Sequence, residues 1–375
     1  MENYLGESIP KLGFGMMRLP ANNRVIDIEQ TRQMVDLFME AGFTYFDTSW
    51  GYNAGDSERT IKQTLVDRYP REAFCLATKL PAWMAKSKAE AEQMLADSLE
   101  RTGAGYFDFY LLHNVGSKRI KVFDDYDLWS FVKQKKEAGL IKHIGFSFHD
   151  TADVLDQLLT AHPEAEFVQL QINYADWDNP SVQSRLCLET AQKHGKPVVI
   201  MEPIKGGCLA SLPPKAAAPL QAIHPDDSFS SWALRFAASQ PGVITVLSGM
   251  SNVEQMRDNL ATMSDFRPLD EAECAAIGEV QKYLDSVPIV PCTGCDYCAE
   301  GCPQGVAISG TFAAYNIYKY FDNINSAKMS YAFPVKICGM APASDCIECG
   351  ACEAVCPQSI NIIESLKMAS EILDT

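Results

Sequence analysis

The sequence predicts a two-part α/β chain, a (β/α)8 barrel followed by a small, cysteine-built α+β module, and three observations carry that prediction. Eight short apolar runs alternate with eight amphipathic stretches from residue 1 to about 265, the signature of strand–helix units whose parallel sheet closes on itself. Two copies of one cysteine pattern fill most of the last quarter. The turn after the first apolar run, Leu12-Gly13-Phe14-Gly15-Met16-Met17, lacks the GxGxxG of an open doubly wound dinucleotide sheet.

Strands are predicted over 11–18, 43–47, 74–80, 106–113, 141–148, 167–174, 197–203 and 243–249. Helices are predicted over 28–41, 57–69, 87–102, 125–138, 151–161, 180–194, 227–239 and 252–264. Gly42, Gly103, Gly139 and Gly195 follow helices where a left-handed cap is wanted, and Asp150-Thr151 and Asn179-Pro180 read as helix starts. The strict alternation makes residues 1–269 a TIM barrel, with its chemistry at the C-terminal strand ends. Residues 270–287 read as a connecting helix, and Pro288 and Pro291 open the module at 288–375.

Nearly half of the 375 residues are hydrophobic, enough for a large core. A net charge of −16 with no Lys/Arg run disfavours nucleic acid and anionic membranes as partners. The start, Met1-Glu2-Asn3-Tyr4-Leu5-Gly6, has neither the basic nor the apolar part of a signal peptide, and no apolar run reaches a membrane span. A cytoplasmic location is therefore expected. Thirteen cysteines in such a chain point to metal ligation rather than disulfides.

Cys292, Cys295, Cys298 and Cys302-Pro303 form CxxCxxCxxxCP, and Cys346, Cys349, Cys352 and Cys356-Pro357 repeat it. Close spacing lets three thiolates of each run reach three irons of one cubane while the fourth, before Pro, points away. Zinc sites usually pair two CxxC units instead. The pattern resembles the bacterial-type ferredoxin with two 4Fe-4S clusters. That resemblance implies a ferredoxin-like domain in which Cys292, Cys295, Cys298 and Cys356 hold one cluster and Cys346, Cys349, Cys352 and Cys302 the other. The longer insert carries Phe312, Tyr315, Tyr318, Tyr320, Phe321, Tyr331 and Phe333, expected to pack the module against the barrel or a second subunit. Cys75, Cys187, Cys208 and Cys274 read as small buried residues.

Three predicted strands end in ionisable groups, Asp47, Lys79 and His113, and Tyr52 lies just beyond the first. Lys79 beside Tyr52 would lower the phenol's pKa, Asp47 would hold Lys79, and His113 would orient a carbonyl oxygen. FDTSWGY (46–52), ATK (77–79) and YLLHN (110–114) resemble the catalytic tetrad of the aldo-keto reductase superfamily. The likeness extends over residues 9–265, through LGFGMMRLP (12–20), IGFSFH (144–149), QINY (171–174), MEPIKGG (201–207) and GMSNVEQMRDN (249–259). It implies a nicotinamide dinucleotide site at Gly15, Met16, Met17, Asp47, Ser147, Gln171, Pro203, Ser251, Gln255 and Asn259. Phe148 stands where many members have Asn, and Met201 where an aromatic ring stacks. Gly249 and Gln255 occupy the usual 2′-phosphate contacts, so NAD and NADP both stay open.

These features imply an oxidoreductase acting on a small carbonyl or alcohol, with Tyr52 as general acid/base. The clusters exchange single electrons whereas hydride carries two, so coupling would require a divider such as a flavin, for which no motif is present. Two alternatives stand beside this: electron transfer between a ferredoxin-like partner and a cofactor in the barrel, and a cofactor-binding sensor with little turnover.

Overall fold

The alternation of apolar runs closes into a ring. The computed structural model describes residues 4–22, 25–292, 294, 296–356 and 358–375. Its eight-stranded barrel comprises β1 (Leu12–Gly15), β2 (Tyr45–Asp47), β3 (Cys75–Leu80), β4 (Phe107–Val115), β5 (Ile141–Phe148), β6 (Phe167–Gln171), β7 (Val198–Met201) and β8 (Val243–Ser248). All pairings are parallel, and β1 closes the ring between β2 and β8. The helices are α1 (Ile28–Glu40), α2 (Asp56–Ile61), α3 (Lys88–Thr102), α4 (Ile120–Asp125), α5 (Leu128–Glu137), α6 (Ala152–Ala161), α7 (Ser184–Lys193), α8 (Pro214–Gln221), α9 (Phe229–Ala238), α10 (Val253–Ser264), α11 (Glu271–Ser286), α12 (Tyr297–Glu300), α13 (Ile308–Phe321), α14 (Ile324–Ala332), α15 (Ala351–Ala354) and α16 (Ile362–Leu373).

Where the helices depart from the expected spans, the backbone gives the reason. The stretch expected at 57–69 is α2 running into a wider π-turn at Lys62–Val66. The helix expected over 125–138 is α5, which starts at Leu128 because Asp127 is left-handed (φ 53°), and the short α4 ends just before it at Asp125. The helix expected from 180 starts at Ser184 because Gln183 is left-handed (φ 52°). A two-residue hairpin, Ala21–Asn22 against Val25–Ile26, and α8 were too short to show a periodic pattern.

The chain divides into two compact units, residues 1–203 with 230–269, and residues 204–229 with 270–375. In the first, Tyr45, Phe109, Phe167, Val199, Ile244 and Leu247 fill the barrel interior together with Ile9. Each such ring or branched side chain contributes about 1.5–3 kcal/mol by leaving water. Gly145 is required by this packing, since a Cβ there would lie 2.6 Å from the Phe167 ring. No helix among the described residues is long and apolar enough to cross a membrane.

In the second unit α11 starts with a reciprocal capping box between Asp270 and Glu273 and packs on α8. A separate core gathers Val306, Ile308, Phe312, Tyr315, Tyr331, Ile362 and Leu366. The insert aromatics expected to face the barrel or a second subunit are thus in part core residues of this unit itself, while Phe333 is exposed. Cys187 and Cys208 are buried as expected and Cys75 is half-buried, but Cys274 is exposed on α11, a correction to its reading as a buried filler. The two cysteine runs repeat in backbone as well as sequence: left-handed Gly294, Asp296 and Gly305 recur as Glu348, Gly350 and Ser359. One short helix, α12 or α15, lies in each run, and the two pack together.

Candidate active site

Asp47 is the last residue of β2, and the chain beyond it is tied down at once. Thr48 N–H donates to the Ala77 carbonyl at 2.9 Å and Trp50 N–H to the Lys79 carbonyl at 3.2 Å. Tyr52 opens a 3-10 turn whose next residues, Asn53, Ala54 and Gly55, all have positive φ, reversing the chain into α2. Gly55 has a second reason to be glycine: a Cβ would sit 3.0 Å from the Arg101 guanidinium. That guanidinium donates to the Trp50 carbonyl at 3.0 Å, stacks over the Trp50 ring and pairs with fully buried Glu58 at 3.4 Å. The loop carrying Tyr52 is therefore held from both ends.

The three groups predicted at strand ends meet Tyr52 from the loop beyond the first. Lys79 Nζ donates to Asp47 Oδ1 at 2.5 Å, to the Thr48 carbonyl at 2.7 Å and to the Tyr52 hydroxyl at 3.3 Å. Gln169, reaching inward from β6, donates to Asp47 Oδ2 at 3.1 Å. Both carboxylate oxygens are thus satisfied in a site where Asp47 and Lys79 are almost wholly buried. The His113 ring lies edge-on to Tyr52 with centroids 5.8 Å apart, and its Nδ1 lies 3.0 Å from Ser49 Oγ.

Burial raises the Asp47 carboxyl against the pull of Lys79. Burial pulls Lys79 down, but Asp47 and Tyr52 hold it above its ordinary value, so it stays charged. Tyr52 differs from the expectation that its pKa would be lowered. Burial raises it, Asp47 and Glu202 add to the rise, and the downward pull of Lys79 does not overcome them. The phenol is therefore protonated at neutral pH. His113 is depressed well below its ordinary range by burial and by the charges of Lys79, His149 and Arg119, which leaves it neutral.

The residues expected around a dinucleotide fall along the same rim. Gly15 and Ser147 lie at or beside strand ends, with Ser147 Oγ accepting from Asn114 N–H at 2.8 Å. Gln171 closes β6, and its amide donates to buried Asp176 at 2.9 Å. Met16 is wholly buried and ties the corner through its backbone, donating to the Asp47 carbonyl and accepting from Ser57 Oγ, whereas Met17 is exposed. Pro203 is buried after β7. Asn259 donates to Ser248 Oγ at 2.7 Å. At the start of α10 the amides are engaged: Ser251 N–H donates to Gln255 Oε1 and Gln255 N–H to the Asn252 cap.

In the second unit one cavity is lined by Cys302, Cys346, Cys349 and Cys352, with Val306, Ile308, Ile347, Ile363 and Leu366 around them. Three cysteines of one run and the last of the other thus share a single apolar pocket. Four sulfurs spread around one apolar cavity suit a cubane, where each thiolate takes its own iron. Val306 N–H donates to Cys302 Sγ at 3.4 Å. Of the other four, Cys298 is buried, and Cys292 and Cys356 pack against the same core. Cys295 lies outside the described residues.

The aldo/keto reductase family profile matches residues 11–282, and the 4Fe-4S dicluster domain profile matches residues 291–361. The chain belongs to the aldo/keto reductase family. An aldo-keto reductase of Mycolicibacterium vanbaalenii is 30% identical over 257 residues, covering 68% of this chain and 82% of that protein. A Bacillus subtilis protein described as an uncharacterized oxidoreductase, YqkF, is 24% identical, covering 72% of this chain and 92% of its own. Among solved structures, an aldo-keto reductase from Klebsiella pneumoniae in complex with NADPH superposes with a TM-score of 0.59 at 20% identity, covering 73% of this chain and 91% of that one. The holo form of AKR11C1 from Bacillus halodurans gives 0.58 at 23%, covering 73% and 93%.

On this aldo/keto reductase barrel the structure adds residues that sequence reasoning passed over. Gln169 reaches Asp47, and Glu58 and Arg101 brace the chain at Trp50, through packing that joins distant segments, so no local motif announces them. Arg18, just beyond β1, accepts from Ser251 Oγ through its carbonyl and pairs with Glu202 at 3.6 Å. Trp83 packs against His113 with centroids 5.1 Å apart. Aldo/keto reductase membership and the appended 4Fe-4S dicluster domain together make the chain an oxidoreductase.

Proposed function

We propose that this protein reduces a small carbonyl compound with NADPH or NADH, and oxidises the alcohol in reverse, with Tyr52 as the general acid/base. The observation that supports this most directly is the Asp47–Lys79–Tyr52 chain of donors beside neutral His113. A bound nicotinamide would supply the hydride. His113, neutral, donates a hydrogen bond to the carbonyl oxygen and sets its orientation; Tyr52 gives its proton to that oxygen; the Lys79 charge, held by Asp47, stabilises the phenolate left behind. Gly15, Met17, Ser147, Gln171, Pro203, Ser251, Gln255 and Asn259 would hold the cofactor, with Asp176 fixing the Gln171 amide and Met16 shaping the floor. Relatives of the same fold are described with NADPH bound. NADPH or NADH consumption over an aldehyde panel, with and without Tyr52→Phe, tests the assignment.

In the second unit Cys346, Cys349, Cys352 and Cys302 would hold one 4Fe-4S cluster, and Cys292, Cys295, Cys298 and Cys356 the other. Bound clusters would supply one-electron exchange. The fusion of a dicluster domain to a reductase barrel favours a second reading, electron exchange between the barrel cofactor and a ferredoxin-like partner. Anaerobic addition of NADPH or NADH, alone and with added flavin, distinguishes the two: bleaching of the cluster absorption marks coupling, and its absence leaves the clusters outside hydride chemistry.

A further inference from the structure

The rim beyond His113 holds a cation that, among the described residues, has an aromatic ring but no carboxylate beside it. Arg119 opens α4, and its guanidinium lies 4.6 Å from the centroid of the Trp83 ring. Trp83 in turn lies 5.1 Å from His113, whose ring faces Tyr52. Burial depresses both His113 and His149, and the nearby guanidinium adds to that depression. It is partly desolvated, yet among the described residues no carboxylate pairs with it.

The acids nearest in sequence are committed elsewhere. Asp150 accepts from Ser117 N–H and Oγ through one oxygen and from Thr151 N–H through the other. Asp125 pairs with Lys121 at 2.7 Å, and Asp124 lies 3.8 Å from His162. The Asp150 bonds fix the turn at Gly116–Ser117, and Arg119 N–H donates to the Gly116 carbonyl at 2.9 Å, so the guanidinium is presented on an anchored turn. In a chain of net charge −16, this guanidinium beside the candidate site has no acid to neutralise it among the described residues. Its planar fork matches a carboxylate in bidentate fashion.

We infer that Arg119 selects carbonyl substrates that carry a carboxylate, holding the acid while Tyr52 and His113 hold the carbonyl and Trp83 lines the path between them. This inference rests on the reductase reading above and narrows its substrate class.

The test uses the full-length, anaerobically prepared protein with 4-carboxybenzaldehyde and its methyl ester, in which the charge is replaced by a neutral ester one methyl larger. The acid should be reduced with a kcat/KM about tenfold or more above the ester, the discrimination a charge-assisted contact carries. In Arg119→Met the acid-to-ester ratio should fall toward one, chiefly through KM for the acid, and Arg119→Lys should restore part of it. Equal kcat/KM for the two compounds in the unaltered protein, or weakened NADPH binding in Arg119→Met with the ratio intact, would overturn the inference. Turnover of neither compound would refute the reductase reading instead. In that event tryptophan quenching still decides on Arg119: acid binding that exceeds ester binding tenfold and is lost in Arg119→Met supports it, and equal binding rejects it.

Discussion

The Lys79 ammonium stands 3.3 Å from the Tyr52 hydroxyl while its 2.5 Å bond to Asp47 fixes it in place. The lysine does not make Tyr52 acidic in the resting protein, because burial outweighs it. On the proposed reading its charge would act on the phenolate, the species that exists only after the proton has left. Stabilisation that appears with the developing charge is what accelerates a chemical step.

A pH dependence follows. Tyr52 lies above its ordinary value near 10, so the proton needed for reduction is present at neutral pH and is lost only as pH rises through that raised value. Carbonyl reduction should therefore hold through the ordinary tyrosine range and decline only above it, and alcohol oxidation should rise there. His113 is depressed and adds no limb near its ordinary pKa. Kinetic pH profiles in both directions check this.

Lys79→Met should remove the group that counters the rise of Tyr52 and strand Asp47 as a buried, unpaired acid. The high-pH limb should move further up, and stability should fall by about 3–5 kcal/mol, the cost of breaking a buried pair from one side. Denaturant melts and the pH profile of the surviving activity measure the two effects separately.

Arg101→Ala should release the Trp50 carbonyl and leave Glu58 buried without its cation. Both the Tyr52 loop and the fold depend on it, so kcat should drop by about tenfold and stability by about 3 kcal/mol. A loss in KM with kcat untouched would show that Arg101 does not position Tyr52.

Cys302→Ser should disturb the cluster of the other run. Its sulfur lines the cavity with Cys346, Cys349 and Cys352, so the variant should lose about half its iron and sulfide, one cubane of two. Cys349→Ser should lose the same half. Iron and sulfide counting shows that one cluster is lost and spectra show which: different spectra for the two variants would refute the shared cavity as one cluster site.

Much of this was legible in the sequence, for physical reasons. Barrel strands buried on both faces read as apolar runs, and the tetrad sits at strand ends where polar residues stand out, as Asp47 does after Tyr45-Phe46. The cysteine runs carry their geometry in their spacing. What could not be read depends on contacts between distant segments: Gln169 meets Asp47 across the barrel, and Arg101 meets Trp50 from another helix. The direction of the Tyr52 shift also escaped, because spacing gives the lysine next to the phenol but not the desolvation around both. Left-handed Asp127 and Gln183 shortened helices that periodicity alone extended.

The central claim, that Tyr52 supplies the proton in hydride transfer to a carbonyl, is tested most directly by single-turnover reduction of an aldehyde by the NADPH-bound protein. Tyr52→Phe should slow the hydride step by about 10²–10⁴-fold, with NADPH binding and cluster absorption unchanged. A Phe variant that transfers hydride at the unaltered rate would contradict the account.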